Sequence, residues 1–180
     1  EKYLFPEFDT LINLGGFANI TKKIKNNLIA YDICPINIIF NHLSRIIKLE
    51  YDDKGDIASS GNINKDLYNY LQRLDYYKLD PPKSLGIEWV NNYVYSILKN
   101  FNNISIKDLM NTFSNHFAFQ IAKNIGEQDQ VLITGGGAYN DYLIDRIKNL
   151  TNSKITIPDP KIIEYKAALI FSFLGLLRVL

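Results

Sequence analysis

Three short apolar runs separated by turn residues open the chain, and their alternation predicts three strands in an antiparallel meander. The first run, Thr10 to Leu14, stops at Gly15-Gly16, a pair that can take φ > 0 in a tight turn. A second run spans Phe17 to Ile24, Asn26-Asn27 supply another turn, and Leu28 to Asp32 returns. That third strand is antiparallel to the second and so parallel to the first, which sets Gly15, Gly16 and Asp32 on one edge. Backbone N–H groups bared by a glycine hairpin can approach phosphate oxygens, and a carboxylate on the same rim can act as a base or lie beside a magnesium ion. Taken alone, these residues are also accounted for by an ordinary hairpin and a solvated strand-end aspartate.

Farther along, the apolar spacing lengthens from two to three and four. Pro35 is placed at the first position of a helix carrying Ile36, Ile39, Phe40, Leu43, Ile46 and Ile47 toward Leu49. Tyr51 to Asn64 reads as a loop, and its Asp52, Asp53 and Asp56 do not have calcium-loop spacing and are expected to be solvated. A short helix over Lys65 to Leu74 leads to Pro81-Pro82, which hold an extended backbone with Lys83 at its end. Gly86 to Lys99 is helical. Ser105, with Asp108 three residues on, caps a long helix through Leu109, Phe113, Phe117 and Ile121, whose aromatics and His116 fit a packed core better than a ligand set. Gln130 to Thr134 forms a strand ending at Gly135-Gly136-Gly137, then a helix from Asn140 to Leu150, a strand from Lys154 to Ile157 and a last helix from Ile162 to Leu180. With right-handed crossovers the fourth and fifth strands join parallel to the first, so Thr134-Gly135 shares the rim of Gly15 and Asp32. The expected fold is α/β: a ribonuclease-H-like lobe of one mixed five-stranded sheet, three antiparallel strands then two parallel, flanked by helices. Ligands of such sheets sit beyond the carboxyl ends of the strands.

Composition narrows the partners. At 180 residues, 47% hydrophobic and 22% charged, the chain is globular and large enough for one core. A net charge of +1 and the absence of a basic patch argue against nucleic acid. The apolar window Ala167 to Leu180 is shorter than a bilayer span and is interrupted by Ser172 and Arg178, so no membrane partner is expected. A single cysteine, Cys34, excludes an internal disulfide and suggests a reducing compartment, the cytoplasm, and two histidines with it match no zinc spacing.

Five segments carry a resemblance in order and spacing: Leu11-Ile12-Asn13-Leu14-Gly15-Gly16-Phe17-Ala18-Asn19-Ile20; Tyr31-Asp32 with Pro35 and Asn37; Tyr51-Asp52-Asp53-Lys54-Gly55 with Ala58 and Gly61; Pro82-Lys83-Ser84-Leu85-Gly86 with Glu88; and Gly135-Gly136-Gly137-Ala138-Tyr139-Asn140, followed by Glu164 and Ala167. The chain resembles anhydro-N-acetylmuramic acid kinases across nearly all its length. The resemblance implies an actin-like sugar kinase related to hexokinase, with two ribonuclease-H-like lobes and ATP between them. It would open the 1,6-anhydro ring of an amino sugar with water and phosphorylate the freed O6 in cell-wall recycling, using ATP and Mg2+. Residue by residue, it implies that Gly15, Gly16 and Asn19 contact phosphate, that Gly135, Gly136, Gly137 and Asn140 border the adenosine, and that Asp32 is the catalytic base. Glu164 becomes a candidate sugar contact, or else a helix-start charge favoured by the dipole, and Lys83 a candidate phosphate or sugar contact, or else a solvated loop lysine. Where the family has Thr-Gly-Pro-Gly-Asn after the aspartate, this chain has Ile33-Cys34-Pro35-Ile36-Asn37, which puts the sugar contacts there in question.

By this resemblance the 180 residues are a single C-terminal lobe, with inserted helices and loops at about 51–125, and the family's N-terminal lobe lies outside them. An isolated lobe would be inactive and prone to self-association as a homo-oligomer through its bared face. Two further readings compete with the kinase lobe: a catalytically inactive nucleotide-binding relic, and a protein-interaction module of the same superfamily.

Overall fold

In the computed structural model, which describes residues 3–25 and 27–179, β1 (Thr10–Leu14), β2 (Phe17–Ile24) and β3 (Asn27–Pro35) form the expected meander. Asn26, assigned to the second turn, lies outside the described residues. β4 (Gln130–Thr134) pairs parallel with β1, and β5 (Lys154–Thr156) pairs parallel with β4, giving the sheet order β3-β2-β1-β4-β5. The ribonuclease-H-like lobe expected from the pattern is therefore present. Ile12, Leu14, Ala18, Ile20, Tyr31, Ile33, Val131 and Ile133 point from one face of the sheet into the main core. On the other face Leu11 and Leu132 pack with Phe5.

β3 differs from its expected course. It does not end at Asp32 but runs on through Ile33, Cys34 and Pro35, with a bulge opposite Ala18 and Asn19. Pro35 is the last residue of this edge strand rather than the first of a helix; an edge position needs no N–H from it. The next residues fold back onto the glycine turn: Ile36 N–H donates to Gly16 O at 2.8 Å and Asn37 N–H to Gly15 O at 3.3 Å. α1 (Asn37–Ile46) then starts, and its buried Ile39, Phe40 and Leu43 seat it on the sheet while Ile46 and Ile47 remain exposed.

The stretch read as a loop holds a 3-10 turn, Asp53–Gly55, and a short helix, α2 (Asp56–Ser59). Asp52 is buried, not solvated. Its two carboxylate oxygens accept the amides of Ile57 at 2.8 Å and Ala58 at 3.0 Å, so it supplies acceptors to a helix start that would otherwise carry bare donors. α3 (Lys65–Gln72) is capped by Asn64. α4 (Ile87–Trp89) and α5 (Tyr95–Asn100) are joined through a π-turn at Val90–Val94. α6 (Ile106–Lys123), with Ser105 capping through Asp108 N–H, runs through the core with Phe113 and Phe117 fully buried. His116 on α6 is enclosed by Tyr77, Tyr68 and Phe117, and that enclosure lowers its pKa to about 3. α7 (Asp141–Lys148) packs on α6, and α8 (Pro160–Val179) closes the chain.

Candidate functional site

Parallel pairing of β1 and β4, with Asn13 opposite Thr134, brings the carboxyl ends of both strands and the glycine loops that follow them to one rim. Four of the five glycines there divide into two kinds. Gly135 sits at φ +84°, and a Cβ on it would lie 2.8 Å from Leu14 O and 2.9 Å from Asn13 Oδ1; one on Gly137 would lie 2.7 Å from Leu14 Cβ. Both are needed for β4's loop to press on the end of β1. Gly16 has open space around it, and Gly136 faces only Asn37 Nδ2 at 3.8 Å. Those two leave backbone accessible to a ligand.

Asn37 ties the loops together. Its backbone N–H donates to Gly15 O, its Nδ2 donates to Leu14 O at 3.2 Å, and its side chain stands against Gly136 and Gly137. It stands in one of the resembling segments, two residues beyond the end of β3, and the signal for it in the sequence is a polar residue following the buried run Ile33-Cys34-Pro35-Ile36.

Asn37 and Gly136 open into a cavity of about 710 Å3, within the range of small-molecule sites. Phe40, Ala138, Ile157, Pro158, Pro160 and Ile163 give its apolar lining, and Asp53, Lys54, Tyr51, Tyr139, Asn140 and Asp141 give polar edges. The acidic loop is held against the glycine loop by Gly55, at φ +79°, where any Cβ would collide with Asn140 Oδ1. Asn140 is itself the cap of α7, accepting from Leu143 N–H at 2.9 Å. Burial raises the Asp52 carboxyl above its usual range against the pull of its two amide donors, whereas Asp53 is exposed at the cavity edge. At the start of α8, Glu164 Oε1 is 3.5 Å from Tyr139 Oη, and desolvation together with this carboxylate raises the Tyr139 phenol.

Asp32 occupies a different place. It does not line this cavity. In register it faces Asn19, which faces Asn13, which faces Thr134, a polar row across four strands. Ala18 and Ile20 turn toward the main core, so Asn19 and its neighbours in the row lie on the opposite face. The row reaches the rim at Asn13, whose carboxamide fits between Gly15 and Gly135. Asp32 Oδ2 accepts from Ser84 Oγ at 3.0 Å and Leu85 N–H at 2.8 Å, its backbone N–H donates to Lys83 O, and its carbonyl accepts from Tyr76 Oη at 2.6 Å. Lys83 points elsewhere: Nζ donates to the carbonyls of Tyr76 and Leu79 and lies 4.8 Å from the Tyr76 ring, with burial lowering its pKa. The structure thus gathers Gly136, Gly137 and Asn140 at the cavity, holds Gly15 to it through Asn37 and Gly16 through the amides of Ile36 and Ile38, strings Asn19 and Asp32 along the adjoining face, sets Glu164 at the rim and leaves Lys83 apart. Cys34 is fully buried, its thiol pushed well above the usual range by burial, which suits packing and not nucleophilic attack. Among the described residues no group of three His, Cys, Asp or Glu side chains could cage a metal ion.

Comparison with known proteins gives the family and the fold. Residues 6–180 match the family model described as anhydro-N-acetylmuramic acid kinase. Among curated proteins, the chain is 32% identical over 192 residues to an anhydro-N-acetylmuramic acid kinase of Bacillus cereus strain Q1, covering 96% of this chain and 50% of that protein. It is 31% identical over 161 residues to the one from Bacillus thuringiensis strain Al Hakam, covering 82% and 42%. The chain spans about half the length of the curated relatives it matches. Two solved structures share the fold: the activator of the 2-hydroxyisocaproyl-CoA dehydratase from Clostridium difficile with bound ADPNP, at TM-score 0.54 and 21% identity over 89% of this chain and 58% of that one, and component A of the Acidaminococcus fermentans (R)-2-hydroxyglutaryl-CoA dehydratase, at TM-score 0.57 and 15% identity over 93% and 61%.

Proposed function

The chain belongs to the anhydro-N-acetylmuramic acid kinase family, and from that premise we propose that it is the C-terminal, nucleotide-binding lobe of a cytoplasmic ATP-dependent sugar kinase. The observation that carries the reading is the convergence of two glycine loops on Asn37 at the mouth of one cavity. Open backbone at Gly16 and Gly136 suits phosphate oxygens, while the apolar lining from Ile157, Pro158 and Ile163 suits a flat base. Asp53, exposed at the edge, can accept from a ribose hydroxyl but would repel phosphate. That orients the nucleotide with its phosphates toward the glycines and its adenosine toward Asp53 and Asn140.

In the reaction we propose, the Asp32 carboxylate takes a proton from a water whose oxygen attacks the anomeric carbon of the 1,6-anhydro sugar. The C1–O6 bond breaks with its electron pair on O6, which takes the proton from Asp32 through water; O6 then attacks the γ-phosphorus of ATP, returning that proton to Asp32, and the bond from the γ-phosphorus to the bridging oxygen breaks to release ADP. Ser84 Oγ and Leu85 N–H hold one Asp32 oxygen and leave the other for the water. Asn19 and Asn13 extend from Asp32 toward the phosphate loops and can align the two substrates along one face. Lys83 supports the turn that carries Ser84, and Glu164 is placed to meet a sugar or ribose hydroxyl. A magnesium ion would neutralise phosphate charge; without a cage of three or more such side chains among the described residues it would be held by the phosphates and water with one or two carboxylates at most. The kinase activity belongs to the two-lobed parent, and the single lobe is inactive toward the sugar.

Two measurements test this. Calorimetric titration of the 180-residue chain with ADP should show saturable one-to-one binding. A coupled assay of the full-length product with ATP and the anhydro sugar should show turnover that Asp32→Asn abolishes; turnover equal to that of the unaltered enzyme would remove Asp32 from the chemistry.

A further inference from the structure

An aromatic stack that the reaction does not use stands beside Asp32. The Trp89 ring lies 5.6 Å from that of Tyr76 and 5.4 Å from that of Tyr93, the second pair tilted by only 31°. Tyr76 is buried, Trp89 half-buried and Tyr93 51% exposed, so the stack runs from the core outward and ends on exposed aromatic surface. Its inner end is tied to Asp32, whose carbonyl accepts from Tyr76 Oη at 2.6 Å. Trp89 follows Leu85, whose amide holds the Asp32 carboxylate, by four residues, at most about 14 Å of chain. Trp89 leads into the π-turn Val90–Val94, and Tyr93 lies within it. Such turns are rare and recur at functional sites.

Position and chemistry identify the occupant. The segment that leads to Trp89 lies along β3, the outermost strand, where Lys83 O accepts from Asp32 N–H, whereas the glycine loops follow β1 and β4 farther into the sheet. A substrate that reacts at Asp32 with its O6 toward the glycine loops therefore turns its opposite end toward Trp89 and Tyr93. Half-wet aromatic rings suit a group that is apolar on its faces and polar at its rim. Polar groups stand beside the rings: the Glu88 carboxylate folds back over Gly86, where a Cβ would lie 2.5 Å from Oε2, and Asn91 and Asn92 are exposed. A wholly apolar partner would strip water from these groups and leave them unpaired. A pyranose meets both demands, with C–H groups on its faces and hydroxyls around its edge. We propose that Trp89 and Tyr93 form a stacking subsite for a second sugar ring, joined to the reacting anhydro sugar on the side remote from its 1,6 bridge, so that the substrate is an anhydro disaccharide. This rests on the reading of Asp32 as the base of the ring-opening step.

The test compares two sugars in the full-length product with ATP: the 1,6-anhydro amino sugar alone, and the same sugar bearing an N-acetylglucosaminyl unit on O4. Stacking of the added ring predicts a KM about tenfold lower for the disaccharide. In Tyr93→Ala, at an exposed position, that ratio should fall to about one. Trp89→Phe keeps an aromatic ring against Tyr76 and Tyr77 and should lower it as well. Trp89 is the single tryptophan of the 180 residues, so saturable quenching of their emission by the disaccharide would place the ring at the stack directly. Equal KM values for the two sugars would overturn the proposal, as would a preference for the disaccharide that survives both variants. Trp89 emission that shifts on dilution, together with no preference for the disaccharide, would overturn it in favour of an interface with a second copy. Calorimetric titration of Asp32→Asn with both sugars separates the two claims: a retained preference with undiminished turnover removes the Asp32 reading alone, and lost turnover with no preference removes the subsite alone.

Discussion

Gly135 and Gly136 are adjacent and chemically identical, yet the structure assigns alanine at each an opposite outcome. At Gly135, φ is +84° and ψ is 166°, a region nearly closed to side chains, for which a substitution costs about 1–3 kcal/mol. The new Cβ would also lie 2.8 Å from Leu14 O and 2.9 Å from Asn13 Oδ1, the first of them backbone at the end of a buried strand. Overpacking adds about 1–3 kcal/mol, so Gly135→Ala should lose roughly 2–6 kcal/mol, a large fraction of the total for a domain of this size. At Gly136 the nearest group to a Cβ is Asn37 Nδ2 at 3.8 Å, ordinary contact. Gly136→Ala should leave stability within about 1 kcal/mol of the original, or raise it by restricting the unfolded chain. Its methyl group would stand where ligand phosphate must approach, so ADP affinity should fall at least about tenfold. Urea unfolding followed by circular dichroism and calorimetric ADP titration measure the two quantities on the same samples. Equal destabilisation by both substitutions, or undiminished ADP affinity in Gly136→Ala, would refute the division into packing and ligand glycines.

Gly55→Ala meets φ +79° and the Asn140 cap together, so it should lower the urea midpoint by the equivalent of about 2 kcal/mol or more and weaken ADP binding by displacing the Asp53 loop. Asp52→Ala strips two acceptors from the start of α2 and should cost about 1–3 kcal/mol, read as a lower melting temperature. His116 has its folded pKa lowered by burial from the ordinary 6.5 to about 3, so the unfolded chain alone binds a proton between those values. Its contribution is complete above pH 6.5 and declines as pH falls toward 3, by about 1.4 kcal/mol per unit once well below 6.5. His116→Phe, which fits the aromatic cage and removes two unpartnered ring nitrogens, should flatten the stability curve by one proton between pH 6 and 4, and a curve of unchanged slope would contradict it.

What could be read from the letters is what local pattern encodes. Apolar runs bounded by turn residues place β1, β2, β4 and β5, and the turn at Gly15-Gly16 and the triple glycine after Thr134 locate the rim, because strand patterning and glycine freedom are properties of neighbouring residues. The errors fall where a distant partner decides. The ring of Pro35 suits a helix start, but the ladder from Ala18 to Cys34 and the hydrogen bond from Ile36 to Gly16 carry the strand through it. Asp52 sits in a polar run that looks solvated, and only the fold of Ile57 and Ala58 back over it makes it a buried cap. Asn37 and Asn13 became visible as connectors once two glycine loops 120 residues apart in sequence were adjacent in space.

The departure from the family at Ile33-Cys34-Pro35-Ile36 acquires a physical meaning in the structure. Ile33, Cys34 and Ile36 are all but completely buried and belong to the main core. The bulge opposite Ala18 and Asn19 lets two successive residues, Ile33 and Cys34, face inward, so side chains larger than the family's threonine and glycine are absorbed beneath the sheet instead of projecting over it. What remains at the surface is Asp32 on one side of the segment and Asn37 on the other, each held by backbone hydrogen bonds that do not depend on the intervening side chains. The substitutions therefore bear on the core beneath the site. If that is so, reverting Ile36 to the family's glycine would open a void of isoleucine size, lowering stability by about 3–5 kcal/mol while leaving the ADP affinity of the folded fraction unchanged. A gain in affinity with little loss of stability would instead show that Ile36 had been obstructing the ligand.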